Sequence, residues 1–509
     1  MVSTSTAIDI SSRARALGIQ TKFKDLRGGR VAILPQRVAV IGQGASEAVY
    51  PTTKQQVTSA AQAGSIYGYG SPVHLAVKAL LPPSGDGVGT IPVTVYPLED
   101  NPSDSSAATG SLDVTIESVT TAAIFRVILG GVRGESFVLR PGMPIAEARA
   151  AIANSINATL DSPASALVGV AGVELTAKWK GDSSNQITLT IEGPTFGAPV
   201  FSIVGFTGGL LNPTVNGALS AMGNVWETMV LNCLDTKDHE ALNAYQEWGE
   251  TRWGALVHKP LLVFTGDTSA TTGEVLNNIS SDEVTPNGRP LDRINVALTA
   301  PGSVNLDFVM AARELAYIVK TANENPPCDY GSLQVAGITP GPDADQWLFT
   351  ERDMALKLGI STSEVRDGVI VLQDTVTMYH PEGEVDPGYR YVCDIVKLQN
   401  IIHNINLIFN VPDWDGAPLI PDDQPTTNPL AKRPKDAVTA ICSKLDNLAL
   451  EAIISDVDFS KTNTRAQIND QNPKRLDIVI PVALSGNTNQ IAIDLEFGFF
   501  YGTSTILGG

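Results

Sequence analysis

The glycines after the first apolar run form a motif that could bind a dinucleotide. In RVAVIGQGASE, Gly42 and Gly44 follow a predicted buried strand, as in the phosphate-binding turn of dinucleotide-binding proteins. That turn requires a third glycine, but Glu47 stands in its place, where a carboxylate would repel a pyrophosphate. We therefore interpret the two glycines as part of a turn and predict no cofactor.

Two other segments contain residue types that could hold a metal ion. The acidic loop Asp413–Gly416, with Asp422 and Asp423 downstream, lacks the ligand spacing and the terminal glutamate of a calcium loop. His239, followed by glutamate, lacks the second histidine of a zinc-protease helix. We predict no metal site and interpret the acidic loop as a solvated surface segment.

Ser71, in the segment GYGSP, is a candidate nucleophile by its setting between glycine and proline. A nucleophile elbow needs a glycine two residues after the serine, and this segment lacks it. Serine followed by proline is also typical of a helix start, so we predict that Ser71 caps a helix. The sequence predicts no catalytic residues, although distant residues could still converge on a site.

Charge and composition argue against several classes of function. The 509-residue chain has a formal net charge of −19, which argues against nucleic acid or an anionic membrane as the main partner. The four cysteines lack the spacing of a metal site, and a disulfide framework is unexpected at this length. No apolar run could span a bilayer, and the N-terminus lacks a signal-peptide core. We expect a soluble protein that folds in a cytoplasm.

The N-terminal forty residues differ from this acidic average, because they carry seven basic and two acidic side chains. We predict that residues 1–30 form an extended arm. Its cations could bind another copy of this acidic protein, or the arm could be an ordinary solvated tail. The candidate arm residues are Arg13, Arg15, Lys22 and Lys24.

Hydrophobic periodicity predicts an α/β (α+β) multidomain fold. Residues 31–98 and 211–385 alternate buried strands with capped helices, which indicates a discontinuous α/β core. Between them, residues 99–210 contain short β-branched runs separated by turns, which predicts an inserted β-rich domain. The pattern of residues 386–509 predicts a C-terminal α+β domain that ends in an arm at about residues 487–509.

The C-terminal residues alternate between apolar and polar side chains. We predict two strands joined by SGNTNQ in a hairpin or longer connection, the first beginning at Leu476. An isolated terminal hairpin is marginally stable in water, so its apolar face and open edges need partners. The last strand could pair with another copy or only within its own domain. Its apolar face consists of Ile491, Ile493, Leu495, Phe497 and Phe499.

Two N-terminal segments resemble the tail sheath proteins of Mu-like contractile phages. In that family a strand that ends in Gly-Gln-like residues is followed by an aromatic-G-x-G-S motif that opens a helix. The matching positions here are Gly42, Gln43, Tyr67, Gly68, Tyr69, Gly70 and Ser71. The predicted order of domains is similar as well, and the sequence departs from the pattern after the helix, at Pro82 and Pro83.

The resemblance implies a structural subunit rather than an enzyme. It implies a helical stack of hexameric rings around a tail tube, with terminal arms that add strands to a neighbour's C-terminal sheet. The expected partners are other copies of this chain, the tail tube protein, and the baseplate and tail terminator proteins. We expect no nucleic acid partner and no direct membrane insertion, and a place in the phage tail after assembly in the host cytoplasm.

A basic cluster before a predicted helix could face the tube. It consists of Lys432, Arg433 and Lys435. It could equally be an ordinary exposed cluster, because single exposed ion pairs contribute little.

Two other classes of function remain open. A hydrolase with a β-sandwich appendage would bring carboxylates or a Ser/His/Asp set together in one pocket. A phage or cell-surface adhesin would stay monomeric and would not exchange its termini with neighbours.

Overall fold

The computed structural model describes residues 32–281, 284, 286–383 and 388–497. The chain divides into two compact units, which are described separately below. The larger unit comprises Ile33–Leu407 and Leu484–Gly509, and the smaller comprises Met1–Ala32 and Ile408–Ala483. The predicted arm residues Arg13, Arg15, Lys22, Lys24 and Phe499 lie outside the described residues.

The larger unit begins with three strands and two helices. These are β1 (Val38–Gln43), β2 (Gln55–Val57), α1 (Ala60–Tyr67), α2 (Pro72–Leu80) and β3 (Val93–Leu98). Its middle part is mainly strand, with one helix: β4 (Thr109–Val114), β5 (Ala123–Leu129), β6 (Val132–Leu139), α3 (Ile145–Ala158), β7 (Ala164–Val168), β8 (Val173–Ala177), β9 (Leu189–Glu192) and β10 (Phe201–Thr207).

The remainder of this unit alternates helices and strands. The elements are α4 (Asn216–Met222), β11 (Met229–Asn232), α5 (His239–Trp253), β12 (Leu262–Asp267), α6 (Thr272–Ile279), β13 (Asn295–Thr299), α7 (Asp307–Glu324), β14 (Gln334–Val335), α8 (Phe349–Lys357), β15 (Thr362–Arg366), β16 (Val369–Asp374) and α9 (Val392–Phe409), whose last two residues count with the smaller unit.

A six-stranded sheet in the order β13-β12-β11-β1-β3-β2 organises the larger unit, and it is parallel except for the antiparallel edge strand β2. Its strands are continuous apolar runs because helices cover both faces. Val38 and Val40 pack with residues of α1, α2 and α7 on one side. Ala39 and Ile41 pack with residues of α4 and α5 on the other. The mixed α/β class that the sequence predicts is therefore confirmed.

Antiparallel sheets account for the middle part of the larger unit. One sheet has the order β10-β4-β8-β7 and the other β6-β5-β9, with α3 packed against both β6 and β7. Trp179 is fully buried, and its indole nitrogen donates a hydrogen bond to Oγ of Ser183 at 3.1 Å. The apolar residues of the two antiparallel sheets belong to the same continuous core as the buried residues of α1, α2 and α7 on one face of the six-stranded sheet.

The smaller unit contains α10 (Pro434–Leu450), α11 (Val457–Asn463), β17 (Arg465–Ile468) and β18 (Leu476–Val479). Ile441, Leu445 and Leu448 lie on the buried face of α10, as their spacing predicts.

The predicted terminal hairpin is wrong in its pairing. β18 pairs antiparallel with the preceding strand β17, and residues 491–497 form no strand. The turn between the paired strands explains the difference: Oδ1 of Asn469 accepts hydrogen bonds from the backbone N–H groups of Gln471 and Asn472. This local closure brings β17 and β18 together without a long connection.

Candidate assembly site

The two glycines of the apparent dinucleotide motif are required by close packing. A Cβ on Gly42 would lie 2.8 Å from Cβ of Cys233, beyond the end of the neighbouring strand β11. A Cβ on Gly44 would lie 2.3 Å from the ring of Tyr50. The chain itself therefore supplies the reason for glycine at both positions, independently of any ligand.

The second half of the family-like motif joins the middle part of the larger unit to α2. Gly70 has a φ of +84°, and a Cβ there would lie 2.0 Å from the carbonyl oxygen of Ser162. The carbonyl oxygen of Tyr69 accepts a hydrogen bond from Nζ of Lys178 at 2.9 Å. Upstream, Nε2 of Gln43 donates to the carbonyl oxygen of Lys180 at 2.8 Å. The motif therefore has a structural role. Its contacts with Ser162, Lys178 and Lys180 link β1 and α2 to the middle part of the larger unit, and we call this link the joint.

Ser71 and His74 fix the turn at this joint. Oγ of Ser71 accepts a hydrogen bond from the backbone N–H of His74 at 3.3 Å, so the predicted N-cap is confirmed. Nδ1 of His74 accepts a hydrogen bond from the backbone N–H of Gly70 at 3.0 Å. Burial lowers the pKa of His74 to about 4, although Asp161 at 3.5 Å opposes this change. The ring is therefore neutral near neutral pH.

Three aspartates, Asp235, Asp267 and Asp307, interact at the carboxyl ends of β11 and β12, where α/β proteins often place their ligand sites, and the first two are buried. Oδ2 of Asp267 accepts hydrogen bonds from Thr236 and Asn278, both at 2.9 Å. Burial raises the pKa of Asp307 well above its usual range, and the charges of Asp267 and Asp235 raise it further.

Sequence reasoning missed this carboxyl group cluster because its members are far apart in the chain. The available signal was an aspartate shortly after each buried strand, as in VLNCLD and FTGD. A cavity of about 450 Å³ nearby is lined by Asp235, Asp238 and His239, among others. Nε2 of His239 lies 2.8 Å from the carbonyl oxygen of Asn278. In the described ranges, no three or more His, Cys, Asp or Glu residues are grouped so that they could hold a metal ion.

The C-terminal end of the chain is anchored to α9 by a buried lysine. Lys397 is fully buried, and its Nζ donates to the carbonyl oxygen of Ser485 and to Oδ1 of Asn487, each at 2.6 Å. The same Nζ lies 2.9 Å from Oδ1 of Asp394. Nδ2 of Asn487 in turn donates to the carbonyl oxygen of Pro327 at 2.8 Å. Among the residues that the structure describes, Asn487 is the last one held by such hydrogen bonds.

Residues 488–497, here called the C-terminal segment, are exposed. The predicted apolar positions Ile491, Ile493, Leu495 and Phe497 are between 77% and 87% exposed. Asp494 and Glu496 alternate with them, so an extended backbone would place the apolar groups on one face and the acidic groups on the other. Such exposure of four large apolar side chains is typical of a segment that binds a partner, and that role stays a prediction.

The smaller unit presents an incomplete sheet. Among the residues that the structure describes, β17 and β18 pair only with each other, so both outer edges are open. The register pairs Ala466 with Ile478 and Ile468 with Leu476, so these four residues share one face. Since β17 packs against α10, the two-stranded ribbon has one helix behind it, and neither outer edge is paired with another described strand.

The side chains of the proposed tube-facing cations contact residues of the loop that precedes them. Nζ of Lys435 donates to the carbonyl oxygen of Asp422 at 2.9 Å, and an Nη of Arg433 donates to the carbonyl oxygen of Gln424 at 3.1 Å. Nζ of Lys432 lies 5.3 Å from the ring centroid of Trp414. Asp422, just after the acidic loop, is therefore a partner of Lys435 at the start of α10. Contact of the three cations with a tail tube stays a prediction.

We next compare the chain with known proteins, among which one relative is similar in sequence over most of its length. No protein-family model matches the chain. The Mu-like prophage FluMu tail sheath protein of Haemophilus influenzae is 25% identical over 383 residues, which are 74% of each chain. The sheath tail protein Lin1278 of Listeria innocua aligns with a TM-score of 0.47 and 11% identity, over 90% of this chain and 93% of that one.

A chain from the 6-fold symmetrised anti-feeding prophage baseplate also aligns with a TM-score of 0.47, at 9% identity over 96% of this chain and 100% of that one. The chain is therefore similar to a tail sheath protein, and this similarity rests on the relative from Haemophilus influenzae rather than on the structural alignments. The predicted resemblance to the sheath proteins of Mu-like phages is confirmed, because that relative is itself from a Mu-like prophage.

In the part of the chain that the structure describes, no helix is both long and apolar enough to cross a membrane.

Proposed function

We propose that this chain is the structural subunit of a contractile phage tail sheath. The observation that carries the proposal is the combination of an anchored, apolar and exposed C-terminal segment with an incomplete two-stranded sheet. Each feature is unfavourable in an isolated molecule, because apolar side chains and open strand edges both seek partners. In a polymer, the segment of one copy supplies the strand that the sheet of the next copy lacks.

Residues 31–98 and 211–385 form the core domain in this proposal. Residues 99–210 form an outer domain on it, held by the joint at Gly70 and Lys178. Residues 386–509 form the polymerisation domain and carry the C-terminal arm. The topology supports this division into domains. Along the chain, the strands of the two antiparallel sheets come between β3 and β11, which both belong to the central sheet.

The subunits stack as hexameric rings around a tail tube, and contraction drives the tube through the host envelope. Each subunit rotates outward into a larger interface, and the burial of additional apolar surface provides the driving force. Strand pairing between the arms and neighbouring sheets persists while the arms bend, so rings stay connected. The chain itself catalyses no reaction in this mechanism.

The partners in this proposal are other copies of the chain, the tail tube protein, and the baseplate and tail terminator proteins. The tube contact uses Lys432, Arg433 and Lys435, after their loop partners are exchanged for groups on the tube. Assembly takes place in the host cytoplasm, and the finished sheath is part of the virion tail. Nucleic acid and membranes are not partners, in keeping with the net charge of −19.

Electron microscopy of the purified chain tests the proposal. The sheath function predicts striated hollow cylinders in negative stain at high protein concentration. Dispersed monomers under all solution conditions would contradict it and would favour an adhesin. Release of product from model glycans or peptides by the purified chain would favour a hydrolase.

A further inference from the structure

Side chains at the end of α3 cover two outer strand edges of the proposed outer domain. On β7, Asn157 accepts a hydrogen bond from the backbone N–H of Ala166 at 2.9 Å and donates one to its carbonyl oxygen at 2.8 Å. On β6, Oγ of Ser155 donates to the carbonyl oxygen of Glu135 at 2.6 Å, and Oγ1 of Thr159 accepts from its N–H at 2.9 Å. These contacts occupy backbone groups that another strand would otherwise pair with.

The strand at the opposite edge, β10, has no such cover among the residues that the structure describes. The carbonyl oxygen of Val200 accepts a hydrogen bond from the backbone N–H of Thr115, toward β4, at 2.7 Å. Because backbone groups alternate in direction along a strand, those of Phe201 and Ile203 point away from β4. The same two residues and Phe196 help to line a cavity of about 400 Å³, here called the β10 groove.

The turn between β7 and β8, residues 167–171, is here called the hairpin tip. It presents three large apolar side chains to solvent: Leu167 is 70% exposed, Val168 43% and Val170 98%. An Nη of Arg149 donates to the carbonyl oxygen of Val170 at 2.9 Å, which holds the tip in place. A patch of this kind at the edge of a sheet is typical of a contact surface.

Both surfaces lack the charges that usually keep edge strands from associating. Residues 162–173, which contain β7 and the hairpin tip, include no Asp, Glu, Lys or Arg. The same is true of residues 193–210, which contain β10 and the loop along the groove. Contact between the two surfaces therefore buries apolar area without removing an ion from water.

The strand register places the two surfaces at opposite ends of one row of residues. Ile203 pairs with Leu112, Leu112 with Val173, and Val173 with Val168. The ends of this row are about 14 Å apart, because neighbouring strands lie about 4.8 Å from each other. The hairpin tip therefore lies too far away to fill the groove of its own chain. Since the four strands alternate in direction, β7 of another copy beside β10 continues the antiparallel order.

We propose that the hairpin tip of one copy of this chain occupies the β10 groove of a second copy. Val170 enters the groove, and the outward backbone groups of Val168 pair with those of Ile203. The contact stays confined to the tip, because Ser162 and Asn157 already bind the outward groups of the preceding β7 residues. Tip and groove are different surfaces, so the contact repeats from head to tail along a series of copies. The proposal rests on the proposed function, since it adds a contact between the outer domains of sheath subunits.

Intermolecular cross-linking tests this contact. Val170→Cys in the tip and Ala198→Cys in the groove are made in separate full-length chains, which are mixed and oxidised in air. We expect a covalent dimer on a non-reducing gel. Val49→Cys mixed with A198C is the matched control, because Val49 is equally exposed but lies in the core domain. The native cysteines are free, so the wild-type chain supplies the background.

Absence of a dimer from V170C and A198C, or equal amounts of dimer from both mixtures, would overturn the proposal. A second arm fills the groove with Gly197→Leu, at a position where an added Cβ meets nothing within 4 Å. Gly273→Leu, on α6, is the control with equally open space. We expect the cross-link to be lost when G197L is combined with A198C and kept when G273L is. A cross-link that survives G197L would place the tip elsewhere on the second copy and would also overturn the proposal.

Failure of this contact can be distinguished from failure of the sheath function. A chain that gives the specific dimer but never forms cylinders retains the contact and counts against the sheath. Cylinders that form without the specific cross-link leave the sheath function intact and remove only the contact between outer domains.

Discussion

Nζ of Lys397 lies 2.6 Å from Oδ1 of Asn487, and this contact fixes the residue at which the C-terminal segment leaves the larger unit. The two residues are 90 positions apart in sequence. In the proposed sheath, an arm that connects subunits needs such a fixed origin. The contact would therefore link the packing of α9 to the proposed assembly.

Replacement of Lys397 by methionine should loosen this anchor. The variant loses the hydrogen bonds to Ser485 and Asn487, so we expect a decrease of about 1–3 kcal/mol in the free energy of unfolding of the larger unit. Amide hydrogen exchange of residues 484–487 should also become faster. Lys320→Met, on the exposed side of α7, is the matched control and should change neither quantity. Equal protection of residues 484–487 in both variants would contradict the anchor.

The joint at Gly70 should be more sensitive to substitution than another glycine of similar backbone conformation. Gly85 has a φ of +81° with open space around its Cβ position, so Gly85→Ala measures the backbone cost alone, about 1–2 kcal/mol. Gly70→Ala adds a collision with the carbonyl oxygen of Ser162, and we expect a further loss of about 1–3 kcal/mol. Urea unfolding of both variants gives the comparison. Equal losses would show that the joint tolerates the displacement.

The raised pKa of Asp307 predicts a specific dependence of stability on pH. The folded state holds a proton on this carboxyl group to higher pH than the unfolded state does, so its contribution is full below the ordinary aspartate pKa and is lost as pH rises through the folded value. Asp307→Asn keeps an acceptor for both hydrogen bonds from Thr268 and removes the charge. The variant should therefore gain stability over the wild type as pH rises.

Asp267→Asn is the control for that experiment. Its carboxylate accepts hydrogen bonds from Thr236, Asn278 and the backbone N–H of Ser269, and an amide cannot accept all three in this geometry. We expect a net loss of about 1–3 kcal/mol, which becomes smaller as pH rises because removal of the Asp267 charge also lowers the pKa of Asp307. Thermal unfolding across pH distinguishes the variants by the sign of the change from the wild type, and a net loss in both at mildly alkaline pH would contradict the role of Asp307.

The parallel sheet could be predicted because each of its strands can be recognised from a short run of consecutive residues. Runs such as VAVIGQ carry apolar residues toward both faces, which only a strand covered on two sides requires. The cap at Ser71 was predictable for the same reason, since serine, proline and a helical pattern are adjacent.

The features that sequence could not provide depend on residues brought together by the fold. Periodicity predicts an apolar seam on α9, but Leu398 and Ile402 are only half-buried, whereas Asn400 is buried and its Oδ1 accepts a hydrogen bond from the backbone N–H of Leu34. A buried asparagine looks like a surface residue until its distant partner is known. The anchor at Lys397 escaped detection in the same way.

We propose that the C-terminal segment drives self-assembly, and truncation of this segment is the decisive experiment. The chain ending at Asn487 keeps the anchor and should have the same thermal midpoint as the full chain. Negative-stain microscopy of the two proteins, at equal concentration, is the measurement. We predict striated cylinders from the full chain and dispersed particles from the truncated one. Cylinders from both, or from neither, would contradict the account.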